Sequence, residues 1–238
     1  MDRSQDDCQL LLAAISEALG VPGDKELAEE PRGYPDSLAL CLIDSIQSLR
    51  NGYVAVVIPV LKRYGAFRRQ QGGDAYTDGL RTFLAALHDM GGVDEWTATV
   101  GTHHKAPGTS VLKGQVMRRA AEALLAINVD STQDLRKAAE DADTLEAVHE
   151  AWTGVHGLGK ASWDYLLMLA GPDGSKADTL LLRFTTRALA LPRTVPPTRA
   201  QAALKCSANT LGVTQKRLDH AIWLYESEAS RDARRRKP

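Results

Sequence analysis

Val155-His156-Gly157-Leu158-Gly159-Lys160-Ala161-Ser162 separates two glycines by one residue and follows the second with a lysine. Glycine accepts a positive φ and allows close backbone approach, so this spacing predicts a tight turn between two helices. The helix predicted after the turn, over residues 161–170, begins with backbone N–H groups that have no partner within the helix and with the positive end of its dipole. These amides, beside Lys160, are a candidate phosphate site. An ordinary helix–helix connection explains the same residues equally well.

Asp178 lies about one helix further along the chain, after the turn-forming Gly171-Pro172-Asp173-Gly174. An aspartate between a loop and a helix is a common N-cap, whose carboxylate accepts from the first backbone N–H groups. Such bonds favour the ionised form, so a cap can also act as a catalytic carboxylate. Arg183, five positions later, is either a salt-bridge residue or a support for that carboxylate.

The composition describes an ordinary globular chain of 238 residues, with 44% hydrophobic and 25% charged residues. Aromatic residues are only 5% of the chain, and the abundance of Ala and Leu favours helices over strands. The net charge of −1 gives no overall argument for nucleic-acid binding, although residues 60–69 and 102–119 contain basic residues without acids. Three isolated cysteines predict neither a disulfide framework nor a cysteine-ligated cluster. No apolar run is long enough to cross a membrane, so we expect a cytoplasmic protein.

Helical periodicity recurs along the chain, for example over residues 7–19, 77–90 and 110–128, and predicts an all-α fold. The run Val54–Ile58 would also suit a buried strand. We predict a helix bent near Pro59, because no second strand-like run is available for pairing. Gln47 lies in an otherwise apolar helix and is either exposed or a capping partner, or it enters a nucleic-acid duplex from the end of the helix.

The order of glycine turn, helix, loop and aspartate resembles the helix-hairpin-helix (HhH-GPD) superfamily of base-excision DNA glycosylases. The matching runs are Val155–Ser162 and Ala177-Asp178-Thr179-Leu180-Leu181-Leu182-Arg183. A second match lies upstream, where Asp44-Ser45-Ile46-Gln47-Ser48 is similar to the Gln-containing helix end of that family. The resemblance covers about residues 37–190.

The resemblance implies two helical lobes with a DNA-binding cleft between them. Residues 37–174 would form the lobe that carries the hairpin at 155–160. Residues 1–36 and 175–230 would form the second lobe, which begins at the catalytic aspartate, and residues 231–238 would be a frayed basic tail.

The resemblance also implies an enzyme that turns a modified or damaged base out of double-stranded DNA and hydrolyses its N-glycosidic bond. Asp178 would be catalytic, acting with water and supported by Arg183. Bifunctional family members carry a Schiff-base lysine where Ala161 stands here, which implies a monofunctional hydrolase. The family's four-cysteine iron–sulfur loop is absent from the sequence. A K⁺ or Na⁺ ion at the carbonyls of Val155 and Gly157 is the remaining cofactor expectation.

The other roles follow from the same resemblance. The DNA backbone would contact Gly157, Gly159, Lys160 and Ala161. The wedge that fills the gap in the duplex would be Gln47, with Arg50 and Asn51 beside it. Candidates for stacking on the flipped base, each of which a core position would also explain, are Tyr34, Tyr53, Trp96, Trp163 and Tyr165.

The identity of the base remains open at this point. Alkylated, deaminated, oxidised and mispaired bases fit a repair enzyme, and hypermodified cytosine fits defence against phage. We expect a monomer associated with the nucleoid. Two alternatives are a non-catalytic helix-hairpin-helix module that only binds DNA and a helical interaction protein with no nucleic-acid role.

Overall fold

The structure is a computed structural model that describes residues 3–20 and 27–235. The described residues confirm the all-α class, since they contain twelve α-helices and only an isolated β-bridge between Lys105 and Leu112. The helices are α1 Arg3–Leu19, α2 Leu38–Gln47, α3 Ile58–Gln70, α4 Leu80–Asp89, α5 Val93–Thr99, α6 Lys113–Ala126, α7 Thr132–Ala138, α8 Ala142–Thr153, α9 Lys160–Ala170, α10 Thr179–Ala188, α11 Pro197–Leu211 and α12 Gln215–Arg235. A π-helix covers Tyr53–Val57 and a 3-10 turn covers Ala75–Thr77. Within the described ranges, no helix is both long and apolar enough to span a membrane.

The helices form two compact units. The central unit is Arg32–Pro172, and the terminal unit combines the described parts of residues 1–31 and 173–238. The unit boundaries therefore fall at 31/32 and 172/173, where the sequence-based division has 36/37 and 174/175.

Helix α2 lies at the centre of the central unit, and all ten of its residues are buried. The Ser37 hydroxyl accepts from the N–H of Leu40 at 3.1 Å, which caps the helix at its first turn. Helices α9 and α6 pack against α2, and the largest fully buried side chains around it are Trp96, Trp152, Tyr64 and Phe83. Because α2 is buried on every side, its position fixes the segments that enter and leave it.

The ambiguous segment after residue 52 is helical, as predicted, and begins as a π-helix. Regular α-helix starts at Ile58, so Pro59 lies in the first turn of α3. Proline is accepted there because the first-turn N–H groups have no partner within the helix. The predicted bend near Pro59 is therefore a junction between two types of helix.

The terminal unit packs α1, α10, α11 and α12 around a second apolar core that includes Leu11, Leu181 and Ile222. Cys8 in α1 and Cys206 in α11 form a disulfide, with their Cα atoms 5.7 Å apart. The isolated spacing of the cysteines did not indicate this bridge, because 198 residues separate Cys8 from Cys206 and only tertiary packing brings them together. Cys41 is free and buried.

One local expectation changes. Helix α12 continues through Arg235, so most of the predicted frayed tail is helical, and residues 236–238 lie outside the described part. Residues 21–26 also lie outside it. Trp96, one of the stacking candidates, lies within α5.

Candidate functional site

The glycine turn, residues 154–159, joins α8 to α9 as predicted. Gly157 has φ +100°, and the Val155 carbonyl accepts from the N–H of Leu158 at 3.0 Å. Ser162 fixes the end of the turn, because its hydroxyl accepts from the N–H of Gly159 at 3.1 Å and from the Trp152 indole at 3.0 Å. The turn thus enters α9 in one defined conformation.

The two glycines of the turn differ sharply in what a side chain would meet. A Cβ at Gly157 would lie 2.7 Å from Ala106 Cβ, in a backbone conformation that L-residues rarely adopt. Gly159 has φ −164° and open space where its Cβ would lie.

We expect Gly157→Ala to lower the free energy of unfolding by about 1–3 kcal/mol. Gly159→Ala should change it by no more than about 1 kcal/mol. Urea unfolding of both variants measures this, and equal losses would contradict the geometry.

Lys160, the first residue of α9, is about half exposed, and its ammonium bonds the Asp164 carboxylate at 2.7 and 2.9 Å. Such an i,i+4 pair at the surface contributes only about 0.3–0.5 kcal/mol. A phosphate at the start of α9 could therefore share or displace this partner.

The corner after α2, residues 48–52, is fixed from inside by a buried lysine. Lys113 is fully buried, and its ammonium donates to the carbonyls of Gln47 at 2.9 Å and Leu49 at 2.6 Å. Cations stabilise helix C-termini by bonding the last carbonyls. Arg50, at the tip of the corner, is exposed and has φ +57°.

Gln47 does not project from this corner. Its side chain is fully buried, and its Oε1 accepts from the Thr102 hydroxyl at 3.2 Å. Burial argues against the wedge role expected for Gln47, because the residue lies on the last turn of a helix that is buried on all sides. Arg50 is exposed and Asn51 partly exposed, so these two candidates remain available at the surface.

The loop of residues 101–112 contacts both the corner and the glycine turn. The Asn51 amide lies 3.3 Å from Nδ1 of His104, and Ala106 packs against Gly157. An open depression of about 450 Å³ has Leu49, Pro107 and residues 157–162 as its lining. The corner, this loop and residues 154–160 contain no acidic residue and present exposed basic or imidazole side chains at Arg50, His103, His104, Lys105, His156 and Lys160.

Three of the five stacking candidates share one cluster inside the central unit. The Asp44 carboxylate, fully buried in α2, accepts from the hydroxyls of Tyr34 at 3.0 Å and Tyr53 at 2.9 Å. Burial, the Asp44 charge and the neighbouring hydroxyls raise the pKa of the Tyr165 phenol well above its usual value. The cluster therefore consists of neutral phenols around one carboxylate.

The two tryptophan candidates lie elsewhere in the central unit. Trp96 is fully buried in the core, edge-on to Phe83. Trp163 is buried, with its ring centroid 5.5 Å from that of His149. The burial of Trp96 corrects its assignment as a stacking residue, because no face of its ring reaches the surface.

Asp178 is the N-cap of α10 in the terminal unit, as predicted. Its Oδ1 accepts from the N–H groups of Leu180 at 2.8 Å and Leu181 at 3.1 Å. Its Oδ2 accepts no hydrogen bond from any residue that the structure describes, and the side chain is partly exposed. One oxygen thus fixes the carboxylate while the other can contact a ligand.

Arg183 is bound elsewhere. Its guanidinium, like that of Arg187, pairs with the buried carboxylate of Glu226. Burial raises the pKa of Glu226, but the hydrogen bonds from Arg187 and Arg183 outweigh it, so the pKa is lowered. The salt-bridge interpretation of Arg183 is the one that fits this geometry.

A family model described as a domain of unknown function (DUF8548) matches residues 10–227. The chain belongs to this family. No curated protein matches it, and no solved structure does. The match spans both units, so the glycine turn and Asp178 belong to one DUF8548 region.

Sequence reasoning missed two residues of the central unit that shape the site. Lys113 lies within the predicted helix over residues 110–128, and its burial depends on contacts with the end of α2 and the residues after it. Asp44 could have been recognised from the sequence, because a carboxylate within an apolar helix requires hydrogen-bond donors from elsewhere in the fold.

Proposed function

We propose that this chain is a monofunctional DNA glycosylase. The observation that carries the proposal is the depression lined jointly by Leu49, from the corner, and by the glycine turn. The two segments are far apart in sequence, and each was singled out independently as a DNA-contacting element. A surface with several basic side chains, whose one acid near the turn is the Asp164 partner of Lys160, suits the phosphate backbone of a duplex, because the first amides of α9 lie next to it.

Duplex binding would divide the contacts between two roles. The amide of Ala161, with the Lys160 ammonium, would bind a phosphate of the DNA backbone. Gly159, whose N–H donates to Ser162, would contribute only close approach of its backbone. Arg50, with Asn51 beside it, would enter the gap left by the flipped nucleotide, since both lie at the end of the corner. Unstacking one base costs a few kcal/mol, which an inserted side chain offsets in part.

Asp178 would carry out the chemistry. Breaking an N-glycosidic bond develops positive charge on the sugar, and an ionised carboxylate stabilises it. The two cap bonds hold Oδ1 in place, and Oδ2 can accept the proton of the attacking water. The water oxygen forms the new bond to C1′ while the base leaves with the electron pair of the broken bond. Ala161 offers no amine, so no covalent sugar adduct forms.

A monovalent cation would take its ligands from carbonyls of the glycine turn. The Val155 carbonyl already accepts one backbone bond, which leaves one lone pair for a cation, and Gly157 would supply the second oxygen. Carbonyl oxygens suit such hard cations. Bound there, the cation would add positive charge beside the phosphate.

The decisive experiment is a mass-spectrometric screen for free bases released from duplex DNA. The panel contains alkylated, deaminated, oxidised and mispaired bases, together with phage genomes that carry hypermodified cytosine. Release from one of these, without an adduct trapped by borohydride, is the expected result. Salt-dependent duplex binding with no release from any DNA would instead favour a non-catalytic binding module. Efficient borohydride trapping would overturn the monofunctional assignment.

The phosphate contact predicts a specific salt effect. Lys160→Ala should weaken duplex binding and reduce the slope of log K against log[salt] by about 1. Lys137→Ala, an exposed lysine on α7 of the same unit, is the matched control and should leave both unchanged. Fluorescence anisotropy at several salt concentrations measures the slope. Equal slopes for the two variants would remove Lys160 from the interface.

A further inference from the structure

The loop that leads to Asp178 is fixed from α12 by a buried carboxylate. Asp219 is only 9% exposed, and its Oδ2 accepts from the backbone N–H of Lys176 at 3.0 Å. The Lys176 carbonyl in turn accepts from the N–H of Asp178 at 2.7 Å. A single residue, Lys176, therefore connects the Asp219 carboxyl group to the backbone N–H of Asp178 through hydrogen bonds.

Two further contacts hold the same loop, and neither involves a buried carboxylate. The Gln201 amide donates to the Ser175 carbonyl at 2.8 Å. Asp173, which is exposed, accepts from the first amides of α12, including that of Lys216 at 3.1 Å. Asp173 therefore links the loop to α12 as Asp219 does, but with an exposed carboxylate.

The electrostatics of Asp219 differ from those of an ordinary aspartate. The pKa of Asp219 is raised to about 7, mainly by burial. The hydrogen bond from the Lys176 amide lowers this pKa, and the charge of Asp178 raises it further. The Lys176 ammonium is the cation that acts on Asp219 from the loop, and the titratable residues next to it along α12 are Lys216, Arg217 and His220. Burial lowers the pKa of His220, so His220 is neutral when Asp219 ionises. Asp219 therefore changes charge near neutral pH, close enough to Asp178 for the two carboxyl groups to interact.

We propose that Asp219 is a positioning residue for Asp178. Asp219 fixes the Lys176 peptide, and its charge acts on the catalytic carboxylate. The role rests on the function proposed above for Asp178. When Asp219 is ionised, its bond to the Lys176 amide becomes charge-assisted and holds the loop more strongly. The second negative charge also stabilises the cationic transition state. Base release should therefore rise about tenfold as pH increases through the ionisation of Asp219.

Asp219→Asn separates the hydrogen bond from the charge, because asparagine still accepts from the Lys176 amide but carries no charge. The variant should release base at the low rate at every pH, without the rise near pH 7. Asp173→Asn is the matched control, since it also replaces a carboxylate that bonds α12, and it should keep the rise. An unchanged rise in Asp219→Asn would overturn the role.

A second measurement does not depend on enzymatic activity. Carbon-13 NMR of the aspartate carboxyls in the full chain follows Asp178 directly. In the wild-type protein, the Asp178 signal should change at the pH where Asp219 titrates. Asp219→Asn should remove that change. Absence of the change in the wild-type protein would overturn the coupling, even if the variant did not fold. Failure of the wild-type protein to release any base, with the change present, would overturn only the proposed function.

Discussion

Asp178→Asn should abolish base release, reducing the rate at least about 1000-fold, and leave the protein folded. Asparagine is as good an N-cap as aspartate, so its amide oxygen can still accept from Leu180 and Leu181. The substitution therefore removes the negative charge without removing the helix cap. Duplex binding should be retained, because the phosphate contacts belong to the central unit.

Single-turnover base release and anisotropy on the same DNA measure the two properties separately. Asp141→Asn is the matched control, since Asp141 is an exposed N-cap of α8 that accepts from the N–H of Thr144 at 2.8 Å. That variant should retain full activity. Undiminished turnover in Asp178→Asn would refute the mechanism, and loss of DNA binding together with turnover would show that Asp178 acts through structure.

Reduction of the Cys8–Cys206 disulfide should lower the free energy of unfolding of the terminal unit by about 2–5 kcal/mol. The bridge closes a loop of 198 residues, and long loops lose the most chain entropy when they are closed in the unfolded state. The bridge also joins α1 to α11, the pair of helices with the most extensive contact in the terminal unit. The protection of α1 amides should therefore fall first.

Chemical unfolding and hydrogen exchange, with and without dithiothreitol, measure the effect. The double variant Cys8→Ser, Cys206→Ser should resemble the reduced protein, and dithiothreitol should not destabilise it further. A wild-type protein that is equally stable under both conditions would contradict the prediction. Stable disulfides persist in oxidising surroundings, so the bridge also bears on the expected cytoplasmic location, which remains a prediction.

Local sequence signals were sufficient for the elements that depend on neighbouring residues. The glycine turn, the start of α9 and the Asp178 cap follow from backbone conformation and capping, which a few residues determine. The capping box of Ser131 and Asp134, which begins α7, is another such local element.

Predictions failed where the outcome depended on contacts between distant residues. Gln47 was expected to enter DNA, but its helix is packed against α6, α9 and further elements of the central unit, which bury it. For Arg183 the sequence left a salt bridge and a support for Asp178 open, and Glu226 of α12 decides for the salt bridge. For Trp96 it left a stacking residue and a core residue open, and the packing of α5 places it in the core.

The internal lysine at position 113 has a further consequence for the corner it supports. A helix C-terminus carries about half a unit of negative charge and therefore repels anions. At the end of α2, the Lys113 ammonium lies against the last carbonyls from the protein side, so this repulsion is neutralised beneath the surface. The corner of residues 48–52 would otherwise repel a polyanion. With this repulsion neutralised, the exposed guanidinium of Arg50 makes the local electrostatic potential positive.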